Sequence, residues 1–233
     1  MQEVGLEQAI QPARSVETSR APVALYSDLP VMNGVSSSRD LATTDDIDIL
    51  RSQEYDLLAV LLGRAPTQDV LDGVSALKGD ASPLGLAHLA LAEAAAAADA
   101  DALQREFFDL FVGVGRGELL PYASYYLSGF LHERPLASVR ESMSALAVER
   151  ADNVFEPEDH VAILCEVMAG MAAGRIDAGP GGERRFFERH LQPWAPRFFV
   201  DLETAKSARF YRAVARVGGL FMDIEAEAFA MDA

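Results

Sequence analysis

From Thr44 onward the sequence is punctuated as one helix after another, and nowhere does it alternate apolar and polar residues long enough to make a strand. Thr44 reads as a helix start with Asp45 and Asp46 in the first turn, and Ile47, Leu50, Leu57, Leu58, Leu61 and Leu62 supply one apolar face before Gly63 and Pro66 end it. Thr67 opens a second helix through Val70, Leu71, Val74 and Leu77. Ser82 caps a third, with Pro83 at the first helical position, where a missing N–H costs nothing. That helix runs into the strongly helix-forming tract Ala94 to Ala98. Further helices are predicted from Asp101 to Val112, from Pro135 through Leu136, Val139, Met143 and Leu146, and from Glu158 to Ala173 behind Pro157. The last two run to Gln192, broken by Pro193 and Pro196, and from Glu203 to Phe229, with Gly218-Gly219 as a bend. The spacing predicts an all-α single domain of about eight to ten helices over residues 45–233. Residues 1–44 carry scattered Pro, Ser and Thr, Asn33-Gly34 and no sustained apolar period, and read as a flexible extension.

Composition narrows the class. The chain is 50% hydrophobic and 24% charged, which is a globular balance. No stretch nears the roughly 20 apolar residues of a membrane span, no signal-peptide pattern opens the chain, and stable membrane insertion is not expected. With 36 acidic residues against 20 basic and a net charge of −16, nucleic acid is an unexpected partner; the basic run Arg184-Arg185 to Arg189 is interrupted by Glu188. Such a surface favours solubility and would attract a basic peptide. The lone Cys165 excludes an internal disulfide and Cys-rich metal sites. The cytoplasm is the expected compartment.

Few residues are arranged for catalysis. His88, His132, His160 and His190 are far apart in sequence, and none forms the i, i+4 pair that sets two imidazoles on one helix face. Glu156, Asp159 and His160, with Glu166 two turns on, are the best metal candidates, but adjacent helical residues point in different directions. They motivate one alternative reading, a metal-dependent hydrolase. Gly113-Val114-Gly115-Arg116-Gly117 follows a helix rather than a strand and is followed by Glu118-Leu119-Leu120, so a chain-turning C-cap accounts for it better than a phosphate loop. Ser124 and Ser128 lack a nucleophile elbow, and Cys165 lies in an apolar run. No catalytic residue, resident metal or cofactor is expected.

Two segments stand out. One is Phe107-Phe108-Asp109-Leu110-Phe111 followed, past the glycines, by Pro121-Tyr122-Ala123-Ser124-Tyr125-Tyr126. The other is Glu156-Pro157-Glu158-Asp159-His160, whose acids are expected at the positive end of a helix, with His160 able to pair with one of them. At these residues the sequence resembles the TorD/DmsD/NarJ-type family of dedicated chaperones for molybdenum-containing redox enzymes. The carriers of the resemblance are Phe107, Leu110 and Phe111, then Pro121, Tyr122, Ser124 and Tyr126, then Glu156, Pro157, Asp159 and His160, in order over roughly residues 45–230. The resemblance implies an all-helical, non-enzymatic domain able to form a homodimer. Its implied partner is an apo-molybdoenzyme catalytic subunit or that subunit's twin-arginine signal peptide, held until the cofactor is inserted and export or assembly proceeds. A formate dehydrogenase or a dimethyl-sulfoxide-reductase-type client suits it. An acidic, helix-walled groove would pair with guanidiniums and floor an apolar stretch. On that reading the two segments are two walls of one groove. Glu156 and Asp159 shape or charge it, His160 organises it by a hydrogen bond, Tyr122 and Tyr126 line it, and Pro157 is architectural. The extension 1–44 carries none of the family's motifs.

Overall fold

The computed structural model describes residues 21–23, 44–151 and 154–231. Among them are ten α-helices: α1 (Thr44–Gly63), α2 (Gln68–Ser75), α3 (Pro83–Ala96), α4 (Ala100–Phe107), α5 (Ala123–Ser128), α6 (Arg134–Ala145), α7 (Val161–Ala172), α8 (Gly182–His190), α9 (Ala195–Thr204) and α10 (Phe210–Met231). The protein is all-α, as its periodicity requires. Two three-residue strands, β1 (Ala21–Val23) and β2 (Val148–Arg150), pair in parallel; they are too short to leave an alternating pattern in the sequence. The rest of the extension lies outside the described residues.

Helix α7 is the centre. Val161 to Cys165 and Val167 to Ala169 are all fully buried, because a helix apolar all round is stable only when surrounded. Helix α1 packs along it and α10 packs on α9 and α3. Ser52 on α1 ties in by donating from Oγ to the Ala169 carbonyl at 3.0 Å. The local start signals act as expected: Thr67 Oγ1 accepts from Val70 N at 3.5 Å, and Ser82 Oγ from Gly85 N at 3.0 Å.

Three boundaries differ from expectation. The helix expected from Asp101 to Val112 starts at Ala100 and widens into a π-turn over Phe108–Val112, which Gly113 closes with φ 61°. A Cβ at Gly113 would sit 2.0 Å from the Arg116 carbonyl oxygen, so the glycine there is required by the turn. The helix expected from Glu158 begins instead at Val161, because the backbone of residues 157–160 is committed elsewhere. The helix expected from Glu203 is two helices: α9 opens with Pro196 in its first turn and ends at Thr204, and α10 starts at Phe210. Helix α10 runs without interruption through Gly218, which lets it lie on Phe199, whose Cε1 would be 2.1 Å from an added Cβ.

Candidate functional site

Pro121 to Ser124 and Pro157 to Val161 run antiparallel for a few residues. Tyr122 and His160 form a β-bridge, Ala123 N donates to the Asp159 carbonyl at 3.0 Å, and Val161 N donates to the Pro121 carbonyl at 2.9 Å. The side chains finish the junction. Asp159, 1% exposed, accepts from Ser124 N at 2.8 Å and so satisfies an amide in the first turn of α5. His160, 4% exposed, accepts through Nδ1 from Ala162 N at 3.2 Å and caps α7. The Tyr122 hydroxyl donates to the Glu156 carboxylate, and the Tyr122 ring meets the His160 ring edge-on at 5.0 Å. Glu158 turns outward to Arg140 at 2.8 Å and Arg150 at 3.5 Å. The acids therefore do not crowd the start of their own helix, as their order in sequence suggests. One of them serves α5, because the extended backbone of Asp159 to Val161 bridges antiparallel to Pro121–Ala123.

Tyr126 lies beside this junction on the core side. Its hydroxyl donates to Asp201 at 3.1 Å, and its ring lies 5.4 Å from that of Trp194. Burial, then the Asp201 charge, raises its pKa above the ordinary tyrosine value. The Ser124 hydroxyl is buried with no hydrogen-bond partner.

The first motif goes to a separate cluster. Phe107 and Phe111 meet at 5.0 Å and both pack on Tyr211 of α10, at 5.9 and 5.3 Å, while Leu110 is fully buried. Beside them the Glu106 carboxylate accepts from Arg209 N at 2.7 Å and Tyr211 N at 2.9 Å, and Glu118 accepts from Lys206 N at 2.7 Å and Ser207 N at 3.0 Å. These two acids hold the α9–α10 break open. Their role was invisible in the sequence, since neither partner is local. The first motif thus packs against α10, and the second braces the α5–α7 junction.

Burial sets the titration of this region. It pulls the His160 pKa down from 6.5 to about 4, and Glu156 and Asp159 only partly oppose it. The folded chain therefore binds fewer protons at this site than the unfolded chain between those values, and the neutral imidazole loses stability as pH falls through that window. Asparagine can accept the Ala162 N–H without titrating. Urea unfolding should show His160→Asn gaining about 1–3 kcal/mol relative to wild type between pH 7 and pH 4.5. A constant difference across that range would refute a buried neutral imidazole.

Metal chemistry finds no support here. Among the described residues no group of three or more His, Cys, Asp or Glu is placed to hold an ion. Glu166 faces Asp56 of α1 instead; burial and then Asp56 push its pKa up to about 8, with Arg175 pulling it back. Burial, then the Asp56 charge, raises the Cys165 thiol pKa well above its usual value, which disfavours the thiolate. No described helix is long and apolar enough to cross a membrane.

The family model for the nitrate reductase delta subunit matches residues 77–200, which include both motifs. A chaperone protein TorD of Vibrio cholerae is 32% identical over 129 residues, covering 52% of this chain and 59% of the relative. The TorD chaperone of Vibrio atlanticus is 25% identical over 187 residues, covering 70% of this chain and 87% of the relative. The chain thus spans a little under two thirds of the length of the first of these, 59%. A crystal structure described as a redox enzyme maturation protein from Archaeoglobus fulgidus superposes with a TM-score of 0.50 at 18% identity, over 81% of this chain and 98% of that one, a likeness of fold. These curated relatives are named chaperones, not enzymes. With the family model spanning more than half of its length, the chain belongs to the nitrate reductase delta subunit family, the TorD/NarJ-type family.

Proposed function

We propose that the protein is a dedicated cytoplasmic chaperone for an immature molybdoenzyme. It binds the apo catalytic subunit, its twin-arginine signal peptide, or both, and keeps them competent for cofactor insertion before export or assembly. The observation that carries this reading is the family match across residues 77–200, with both motif segments inside it. The geometry agrees with a binding role: Glu156, Asp159 and His160 each spend a polar atom on a tyrosine or a backbone amide, which suits a scaffold better than a reaction centre. Residues 45–233 act as the chaperone domain, able to form a homodimer, with 1–44 as an appendage to it. Phe107, Leu110, Phe111, Pro121, Tyr122, Ser124, Tyr126, Glu156, Pro157, Asp159 and His160 shape that domain for its client.

The test is calorimetry of the full chain with the apo catalytic subunits, and with the signal peptides, of molybdoenzymes encoded in the same genome. Saturable binding to one of them, weakened by salt as a −16 chain requires, is the expected result. Absence of binding to every such subunit and peptide would refute the reading.

A further inference from the structure

Among the described residues one sheet forms, the parallel pair of β1 and β2, and its two strands are held very differently. Strand β2 belongs to the core. It leaves α6 through Ala147, whose φ of 54° turns the chain, and its Val148 is buried. Arg150 fastens its end, donating from Nη1 to the Val154 carbonyl and lying 3.5 Å from Glu158, which also meets Arg140 at 2.8 Å. Among the described elements, β2 is the one against which β1 packs extensively, so the ladder is what holds β1. An isolated two-stranded pair is marginal in water, and parallel pairing is the weaker kind.

The register shows which backbone groups carry the ladder. Ala21 lies opposite Val148, Pro22 opposite Glu149 and Val23 opposite Arg150. In a parallel pair one member of each opposed couple turns its N–H and C=O to the other strand, and its partner's groups point away. Pro22 has no N–H, so at the centre that member is Glu149. By the same alternation Ala21 and Val23 face β2. The outer edge of β1 then lacks a donor at its centre, which stops the sheet from growing there. A further strand therefore has to take the place of β1 rather than lie outside it.

We propose that the β2 edge is a strand-addition site for the client: residues 21–23 fill it in the free chain, and an extended, unfolded segment of the client displaces them and pairs with β2 in parallel. An immature polypeptide carries backbone N–H and C=O groups without ladder partners, and a strand edge satisfies them whatever the sequence. Side chains set the preference. The client residue opposite buried Val148 shares its face and is small or apolar, and the one opposite exposed Glu149 faces solvent. Proline is accepted only opposite Glu149, where Pro22 stands. Arg150 ties the end of β2 to Glu158, so the seat adjoins the second motif. This rests on the chaperone reading above, and adds where the client's unfolded segment is held and what occupies that place before it.

The experiment uses the full chain and the purified apo catalytic subunit, with its signal peptide, that it binds in calorimetry. Pro22→Cys combined with Glu149→Cys sets two thiols opposite each other across the ladder, while the native Cys165 is buried. The oxidised chain should bind the client at least about tenfold more weakly, and reduction should restore the affinity. Val23→Pro removes a donor facing β2, weakens only the internal strand, and should raise client affinity about threefold or more. A strand with a purely structural role gives no such gain. Glu149→Pro removes the donor at the centre of the edge and should lower client affinity about tenfold. Its circular dichroism should stay as in wild type, because position 149 is exposed. A photo-crosslinker at position 149 should join residues 1–43 of the same chain in the free protein and the client in the complex. Capture of a second copy, failure of the disulfide to form, or unchanged affinity in Val23→Pro would overturn the proposal. If the wild-type chain binds its client and the oxidised chain binds it equally, only the docking edge is wrong. If the wild-type chain binds no client, the chaperone reading falls and takes this proposal with it.

Discussion

Glu225→Ala is expected to lower the unfolding free energy by about 3–5 kcal/mol, the range for stranding one side of a buried ion pair. Glu225 is fully buried and accepts from Arg51 Nε and Nη2, both at 2.7 Å, and from the Tyr55 hydroxyl at 2.8 Å. Burial works against the charge on Arg51, but Glu225 and Glu183 outweigh it and hold the guanidinium's pKa above its ordinary value. Removing Glu225 leaves Arg51 with Glu183 at 2.5 Å and Asp48 at 3.0 Å, but leaves the fully buried Tyr55 hydroxyl without that acceptor. The network joins α1, α8 and α10, so its loss loosens three helices together. The combined replacement Arg51→Met, Tyr55→Phe and Glu225→Leu removes the most buried polar members, leaves the more exposed Glu183 and Asp48 to water, and should cost far less, within about 2 kcal/mol of wild type. Urea unfolding at constant m-value reads both. A single-variant cost below about 1 kcal/mol would show that water already satisfies these groups.

This network also marks where sequence reading stops. Thr67 and Ser82 are legible as caps because each bonds an amide three residues on, and α7 is legible as buried because it is apolar on every face. Arg51 and Glu225 are 174 positions apart, so nothing local announces that they meet. The same reason hides the α9–α10 break. Lys206 to Arg209 look helical in sequence, but the amides of Lys206, Ser207 and Arg209 are taken by Glu118 and Glu106 from about 90 to 100 positions away. At Glu156 to His160 the sequence shows the residues but not their partners. The acids look like the first turn of the helix that follows, whereas Asp159 serves α5, because the segment bridges to Pro121–Ala123. The resemblance located the motifs through residue identity, while their long-range pairing determines what they do.

Asp159→Ala should therefore destabilise the protein by about 2–3 kcal/mol, since it strands the Ser124 amide in a buried site and removes a carboxylate from the start of α5. Asp159→Asn keeps an acceptor for that amide and should cost about 1 kcal/mol, the charge contribution alone. Ser124→Ala supplies the contrast inside the same junction: its hydroxyl is buried and unpartnered, so deleting it should be neutral or slightly stabilising. Urea midpoints rank the three variants. Client affinity, measured where each variant is fully folded, separates a brace from a contact. A carboxylate 1% exposed has almost no surface to offer a guanidinium, so Asp159→Asn should bind the client within about twofold of wild type. If Asp159→Asn kept wild-type stability while losing client affinity tenfold, the carboxylate would have to open toward the client, and the junction would be a recognition element rather than the brace that holds α5 against α7.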